Sequence, residues 1–172
     1  YICENPPPPE LDDWLLPIKL IFDNSGQSEN LANFTVLVHL TSANSVIFNS
    51  AQSNGGDIRF VDDDNATFLD FDIEKWDKNG QEAYIWVKVP VIDAGSDEDF
   101  IYLYYGNPGA PEWPGYRYEA WGGNYKGVWH FDDGSGNLVT DYSGYSNEGA
   151  LINGDNWTRT GKIASAYKFI GD

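Results

Sequence analysis

The chain has 172 residues and a formal net charge of −17, with 41% hydrophobic and 16% aromatic residues. This charge argues against a nucleic-acid partner, because phosphate binding needs clustered Lys and Arg, and against anionic membrane surfaces for the same reason. The aromatic content argues against a disordered chain, and no apolar run is long enough to span a membrane. The composition therefore indicates a packed protein with an acidic surface.

Residues 1–13 form a proline-rich N-terminal arm, which we expect to run as a stiff spacer. The single cysteine of the chain, Cys3, lies in this arm and cannot form an internal disulfide. It is either an incidental exposed thiol or an intermolecular attachment point. The chain contains no Met, which indicates a removed signal segment. Three N-glycosylation sequons also favour an extracellular or cell-surface location, and their asparagines are Asn33, Asn65 and Asn156.

The first unit, residues 14–108, has a hydrophobic period of two, which predicts strands, and almost no helical periodicity. Ile85, Val87 and Val89, for example, alternate with Trp86 and Lys88. Clusters of Asp, Asn and Gly separate six predicted strands, which cover residues 17–23, 33–40, 57–61, 67–74, 83–90 and 100–105. Short strands with polar turns are typical of an antiparallel β-sandwich.

The second unit, residues 127–172, follows a linker over 109–126 that begins in a Gly- and Pro-rich run. It offers three predicted strands, at 127–131, 147–152 and 166–170. A three-stranded sheet would leave an apolar face and both edges uncovered, so it makes a poor independent fold. We expect this unit to be incomplete, either because the chain is a fragment or because a strand from a neighbouring subunit completes it.

Several motifs in the first unit occur together in a known family. They are the Asp57-Ile-Arg-Phe strand, the Glu74-Lys-Trp step, the Ile85-Trp-Val-Lys-Val-Pro strand and the Leu103-Tyr-Tyr-Gly-Asn ending. Through them, residues 14–108 resemble a β-rich domain of unknown function found in large archaeal and bacterial surface proteins and in some bacterial inner-membrane transport proteins. The resemblance brings no established chemistry with it.

The second unit carries motifs of another family. Trp129-His-Phe-Asp is followed by Asp133-Gly-Ser-Gly, Asn147-Glu-Gly, Gly161-Lys and Ala166-Tyr-Lys-Phe. In this order they resemble the first part of a concanavalin/laminin-G-like jelly roll, and the two domain types often occur in tandem in surface proteins. The two resemblances together imply an all-β chain, an antiparallel β-sandwich followed by a partial jelly-roll unit.

We expect no enzymatic activity. Glycosidases on concanavalin-like folds typically use Glu-x-Asp-x-x-Glu, which holds an acid and a nucleophile about 5 Å apart, and this spacing does not occur. Gly-x-Ser-x-Gly and His-Glu-x-x-His are also missing from the sequence. His39 and His130, the two histidines, lie on predicted strands, where a structural role is usual.

A concentration of side-chain oxygens between residues 132 and 147 has two interpretations. Carboxylate, amide and hydroxyl oxygens are the ligands that Ca²⁺ takes on flexible loops. The same residue types also build ordinary turns by bonding to their own backbone. Calcium and turn chemistry therefore both stay open for one set of residues, namely Asp132, Asp133, Asn137, Asp141, Ser143 and Asn147. The same two interpretations apply to the shorter cluster of Asp62, Asp64 and Asn65.

Aromatic residues are unusually dense after residue 112. Flat aromatic faces beside amides and carboxylates can bind sugars, whereas aromatics also dominate cores and domain interfaces. The candidates for a carbohydrate-binding face are Trp113, Tyr116, Trp121, Tyr142 and Tyr145.

Two functions follow as expectations. The first is a non-catalytic structural or adhesive component of a cell-surface layer or filament, whose partners are other copies of itself or a larger surface protein. The alternative is a carbohydrate-binding module of a larger secreted enzyme or adhesin. A structural subunit should self-associate, whereas a binding module should stay monomeric and present a solvent-facing aromatic pair.

Overall fold

A computed structural model of the chain describes residues 11–15, 17–113, 117–152 and 156–169; Cys3 and Tyr116 lie outside these residues. The strands in chain order are β1 (Ile18–Ile21), β2 (Leu31–Leu40), β3 (Arg59–Val61), β4 (Phe68–Leu69), β5 (Phe71–Asp77), β6 (Glu82–Ile92), β7 (Phe100–Tyr104), β8 (Leu138–Val139), β9 (Gly149–Ala150), β10 (Trp157–Thr158) and β11 (Ala166–Tyr167). One α-helix, α1 (Ser45–Ser50), and 3-10 turns at Leu11–Asp13, Ser42–Asn44 and Arg117–Ala120 accompany them. The predicted all-β class is confirmed.

The first seven strands form two antiparallel sheets. One sheet has the order β1-β7-β3-β4 and the other has the order β2-β6-β5. Apolar side chains of both sheets pack into a shared buried core, which makes this unit a β-sandwich, and Trp14, Val61, Tyr104 and Ala110 form a second, smaller cluster. The core includes Leu40, Phe60, Leu69, Phe71, Ile85, Val87, Val89, Ile101 and Leu103.

The alternation predicted for the longest strand, β6, is confirmed. Ile85, Val87 and Val89 are buried in the core, whereas Trp86 and Lys88 are only partly buried. The period of two therefore assigns one face of β6 to the core and leaves the other face for a second set of contacts. This outer face carries the candidate site described below.

The short helix α1 departs from the expectation of strands and turns alone. It follows a capping box in which the Thr41 side chain accepts from a backbone N–H and Asn44 bonds back to Thr41. Its six residues bury Ile47 and Phe48 in the sandwich core. A helix this short spans less than two turns, so it leaves almost no periodic signal in the sequence.

The strands predicted for the second unit are mostly not formed. The prediction of a strand over 127–131 is wrong, because Val128 donates its N–H to the Asp141 carboxylate at 2.8 Å and Phe131 adopts a φ of +56°. The predictions at 147–152 and 166–170 reduce to β9 and β11, each of two residues, and residue 170 lies outside the described part. These strands form the two-stranded ladders β8–β9 and β10–β11.

Replacing Gly55 by Ala should destabilise the sandwich by about 2 kcal/mol. Gly55 has a φ of +72°, and an added Cβ would lie 2.8 Å from the indole of Trp76, which itself packs against Phe48. Gly26→Ala is the matched control, because nothing lies within 4 Å of the added Cβ, and it should stay within about 0.5 kcal/mol of the native chain. Urea unfolding measures the free energy of unfolding of both variants. An equal loss in the two variants would contradict the close packing of Gly55 against Trp76.

Candidate functional site

A cluster of four charged side chains lies on the outer face of the sheet β2-β6-β5. Asp72 and Glu74 come from β5, and Arg117 and His130 come from the segment after the sandwich. We call these four residues the charge cluster and residues 117–147 the docking segment. The cluster joins the docking segment to the sandwich.

The local structure of β5 directs both carboxylates away from the core. Phe71 and Ile73 face inward, so Asp72 faces outward opposite Trp86 of β6. The register then shifts between Ile73 and Lys75, which makes Glu74 an extra residue on the strand. Because of this bulge, Glu74 can approach the indole of Trp86 and bond to it.

Asp72 is the centre of the charge cluster. Its Oδ1 accepts a hydrogen bond from Nε of Arg117, and its Oδ2 accepts one from Nε1 of Trp121 at 3.1 Å. Nε2 of His130 lies 2.9 Å from the same Oδ2. The carboxylate is fully buried, yet each of its oxygens is bonded, which offsets the cost of removing the charge from water.

His130 lies between two carboxylates. Its Nδ1 is 3.3 Å from Oε2 of Glu74, which also accepts from Nε1 of Trp86 at 2.7 Å. With a carboxylate at each ring nitrogen, both nitrogens act as donors only in the imidazolium form. Only 5% of the His130 side chain is exposed, so this cation is held inside the protein.

The electrostatics of the charge cluster favour the ionised forms of His130 and Asp72. Burial alone would lower the pKa of His130, but the hydrogen bonds and charges of Asp72 and Glu74 raise this pKa to about 9. Burial would raise the pKa of Asp72, but the bond from His130 and the charge of Arg117 hold it below its usual value. At neutral pH, the anionic Asp72 therefore faces the cationic His130 and Arg117.

Aromatic rings pack around the charge cluster and shield Asp72 and His130, whereas 44% of the Arg117 side chain is exposed. The guanidinium of Arg117 lies 4.2 Å from the ring centroid of Tyr142, and the His130 ring lies 4.7 Å from the same ring. Trp121 packs between Trp86 and His130, at 5.2 and 5.6 Å. These contacts pack the buried side chains Asp72 and His130 tightly, so the charge cluster holds the docking segment in place.

The stability contributed by His130 should fall at alkaline pH. Its pKa is raised on folding, so this stability is fully present below its ordinary pKa of about 6.5 and is lost as the pH rises through about 9. We expect native urea unfolding to show a loss of about 2 kcal/mol between pH 6.5 and pH 10 that His130→Gln does not show. Equal pH dependence in both proteins would contradict the ionised pairing.

The six candidate calcium ligands lie within the docking segment, where most of their side chains bond to their own loops. Asp141 is the hub: its oxygens accept the N–H groups of Val128, Ser143 and Asn147 and the hydroxyl of Ser143, all at 2.8–2.9 Å. Burial would raise the pKa of Asp141, but these bonds lower it to about 2.

The other candidate ligands take separate partners. Asp132 accepts from the hydroxyl of Tyr142, and Asp133 accepts from Thr140. The backbone carbonyl of Asn137 accepts a hydrogen bond from the N–H of Leu151. The side-chain amide of Asn147 donates to the backbone carbonyl of Lys126. Among the described residues, no three His, Cys, Asp or Glu side chains are grouped as a metal site. The calcium interpretation stays a prediction.

The candidate sugar-binding aromatics differ in exposure. Trp121 is buried, and Tyr142 lies under Arg117. Tyr145 is 47% exposed, and Lys126 lies 4.1 Å from its ring centroid. Trp113 is half-buried at the edge of the core and lines a cleft. Tyr116 is outside the described residues.

The sequon asparagines are accessible to different degrees. Asn33 and Asn65 are exposed and have positive φ angles, whereas Asn156 is half-buried. The Asn65 side chain accepts a hydrogen bond from the hydroxyl of Tyr104 at 2.6 Å. Glycosylation at the three positions stays a prediction.

Comparison with known proteins places the chain in a family. The sequence model described as "Domain of unknown function (DUF2341)" matches residues 54–158. Because this match covers more than half of the chain, the chain belongs to that family. It includes both the sandwich strands β3 to β7 and the whole docking segment. No curated protein and no solved structure gives a significant match. In the described part of the chain, no helix has the length and apolarity to cross a membrane.

Proposed function

We propose that the chain is a non-catalytic structural or adhesive component of an extracellular surface layer or filament, and that a second copy of the chain completes its C-terminal part. One observation carries the proposal: large apolar side chains are exposed beside short, open ladders. Leu138 of β8 is 56% exposed, Ile152 after β9 is 81% exposed, and Phe169 after β11 is 73% exposed. A contiguous exposed apolar patch favours an interface, and we propose that these three side chains contribute to one.

The ladders beside these side chains can accept a further strand. Each described ladder, β8–β9 and β10–β11, has two strands, so its outer edges present unpaired backbone groups. A strand from a neighbour would pair with such an edge and cover the apolar side chains, as in strand addition. This arrangement also fits the resemblance of residues 127–172 to the start of a concanavalin-like jelly roll, which is part of this proposal.

Three ionisable side chains of β5 and the docking segment support a structural role over a catalytic one. Asp72 and His130 are closed to solvent, and the oxygens of Asp141 bond to four donors within their own segment. Catalysis requires a group that can reach a substrate. These side chains instead bond to backbone groups and to neighbouring charges, which is a structural role.

The net charge of −17 opposes assembly of the chain with itself. Copies of an acidic chain repel one another, so close contact requires screening by salt or bridging by cations. We propose Ca²⁺ as the bridging ion, because it binds carboxylate and amide oxygens.

Light scattering and negative-stain imaging test this proposal at matched ionic strength, with Ca²⁺ or with a chelator. The proposal predicts oligomers or filaments that grow with protein concentration, and their loss in chelator would support the role of Ca²⁺. A folded monomer at all concentrations in both conditions would overturn it. The same scattering with Cys3→Ser shows whether the cysteine in the arm links the subunits.

A further inference from the structure

A cleft of about 370 Å³ opens beside Trp113, next to the charge cluster. Asn54, Phe71, Ile73, Glu112, Trp113 and Arg117 line it. Its volume lies within the range of about 300–1,000 Å³ that ligand sites occupy. None of the exposed apolar residues of the proposed assembly surface, at positions 138, 152 and 169, lines this cleft.

The indole of Trp113 provides a fixed flat wall. It stacks on Phe68 and Phe71, with ring centroids 5.5 and 6.0 Å apart and interplanar angles of 29° and 23°. The Arg59 guanidinium lies 5.2 Å from the same ring. Because Trp113 is only half-buried, part of this immobilised ring faces the cleft.

The polar groups at the rim have free hydrogen-bonding capacity. Asn54 donates to Oε1 of Glu112 at 2.8 Å, which fixes the carboxylate. Within the described residues, Oε2 of Glu112 and Nη1 of Arg117 have no hydrogen-bond partner. The cleft therefore presents one charged acceptor and one charged donor beside an aromatic ring.

This combination suits a neutral polyhydroxylated ring. The apolar C–H face of a sugar can lie on the indole, while its hydroxyls donate to a carboxylate and accept from a guanidinium. An anionic ligand is disfavoured, because Glu112 is acidic, the charge of Arg117 is already paired with Asp72, and the whole chain carries −17. We propose that the cleft binds a neutral saccharide unit stacked on Trp113 and hydrogen-bonded to Glu112 and Arg117. Residues 114–116 lie outside the described part, and the proposal uses none of them.

Saturation-transfer NMR on the intact chain tests the proposal with four probes: the methyl glycosides of glucose, galactose, mannose and N-acetylglucosamine. We expect transfer to at least one of them. Glu112→Ala and Trp113→Phe should each weaken that binding at least about tenfold, as expected for losing a charge-assisted hydrogen bond or a stacking surface. Glu98→Ala removes an exposed carboxylate elsewhere and should leave the affinity within about twofold.

Circular dichroism shows that each variant is folded before its affinity is compared. No transfer to any of the four glycosides by the native chain would overturn the proposal, and so would binding that both cleft variants leave within about twofold. Light scattering of Glu112→Ala keeps this test apart from the assembly proposal, because this variant should assemble like the native chain.

Discussion

Asp72→Ala is expected to lower the free energy of unfolding by about 3 kcal/mol and the Tm by about 6–12 °C. The change leaves the indole N–H of Trp121 without its acceptor and removes one of the two anions that hold His130. This loss lies at the lower end of the range for a broken buried ion pair, about 3–5 kcal/mol. The reason is that His130 still pairs with Glu74 and that Arg117 can reach water. Urea and thermal unfolding measure this loss.

Asp97→Ala is the control for this prediction. Asp97 is an exposed carboxylate in a turn, so its removal should change stability by no more than about 0.5 kcal/mol. Limited proteolysis should also cut the docking segment faster in Asp72→Ala than in the control. An Asp72→Ala protein as stable as Asp97→Ala would show that the charge cluster does not hold the docking segment.

Arg59→Ala should lower the free energy of unfolding by about 4 kcal/mol, for a different reason. Arg59 is 1% exposed, and its guanidinium donates to the backbone carbonyls of Gly56, Ile58 and Pro111. Burial lowers its pKa to about 10, so it remains charged at neutral pH. Alanine would leave three carbonyls without this donor and a cavity beside the ring of Trp113.

Arg159→Ala serves as the matched control. Arg159 is exposed after β10, so its replacement should change the free energy of unfolding by about 0.5 kcal/mol or less. Arg59→Lys sharpens the result. A lysine keeps the charge but cannot span the carbonyls on both sides, so it should recover less than half of the loss. Full recovery with lysine would show that only the charge at this position matters.

The sandwich could be predicted from the sequence because its signal is local. Alternating residues such as Ile85 and Val87 identify a strand without any knowledge of its partners. The strand prediction for residues 127–131 (GVWHF) was wrong for the opposite reason. The segment has the composition of a strand, but the backbone N–H of Val128 donates to the carboxylate of Asp141, 13 residues further on. A competing side-chain acceptor at that distance leaves no pattern in the sequence.

The charge cluster could be predicted only in part. The alternation of β5 places Asp72 on the outer face, and this much was visible in the sequence. Its partner Arg117 lies 45 residues away, within the stretch interpreted as a linker, and His130 lies 58 residues away. Pairings this distant depend on how the docking segment folds back over β5 and β6, which the sequence pattern does not reveal.

The candidate sites show the same difference between what residue type indicates and what the fold brings together. The oxygen-rich residues 132–147 were singled out by composition, and the structure places most of them in bonds within their own segment. Trp113 was singled out as an aromatic, but its cleft also needs Asn54 and Arg117, which come from other parts of the chain. Residue type can suggest such groups, whereas only the fold brings them together.

The assembly proposal is tested most directly by light scattering of the native chain beside a variant carrying both Ile152→Lys and Phe169→Lys. Among the large apolar residues that the structure describes, these two side chains are the most exposed, so the changes should leave the sandwich folded. The proposal predicts that the native chain forms oligomers whose mass rises with concentration and that the variant stays monomeric with an unchanged Tm. Identical masses for the two proteins, whether monomeric or assembled, would contradict it.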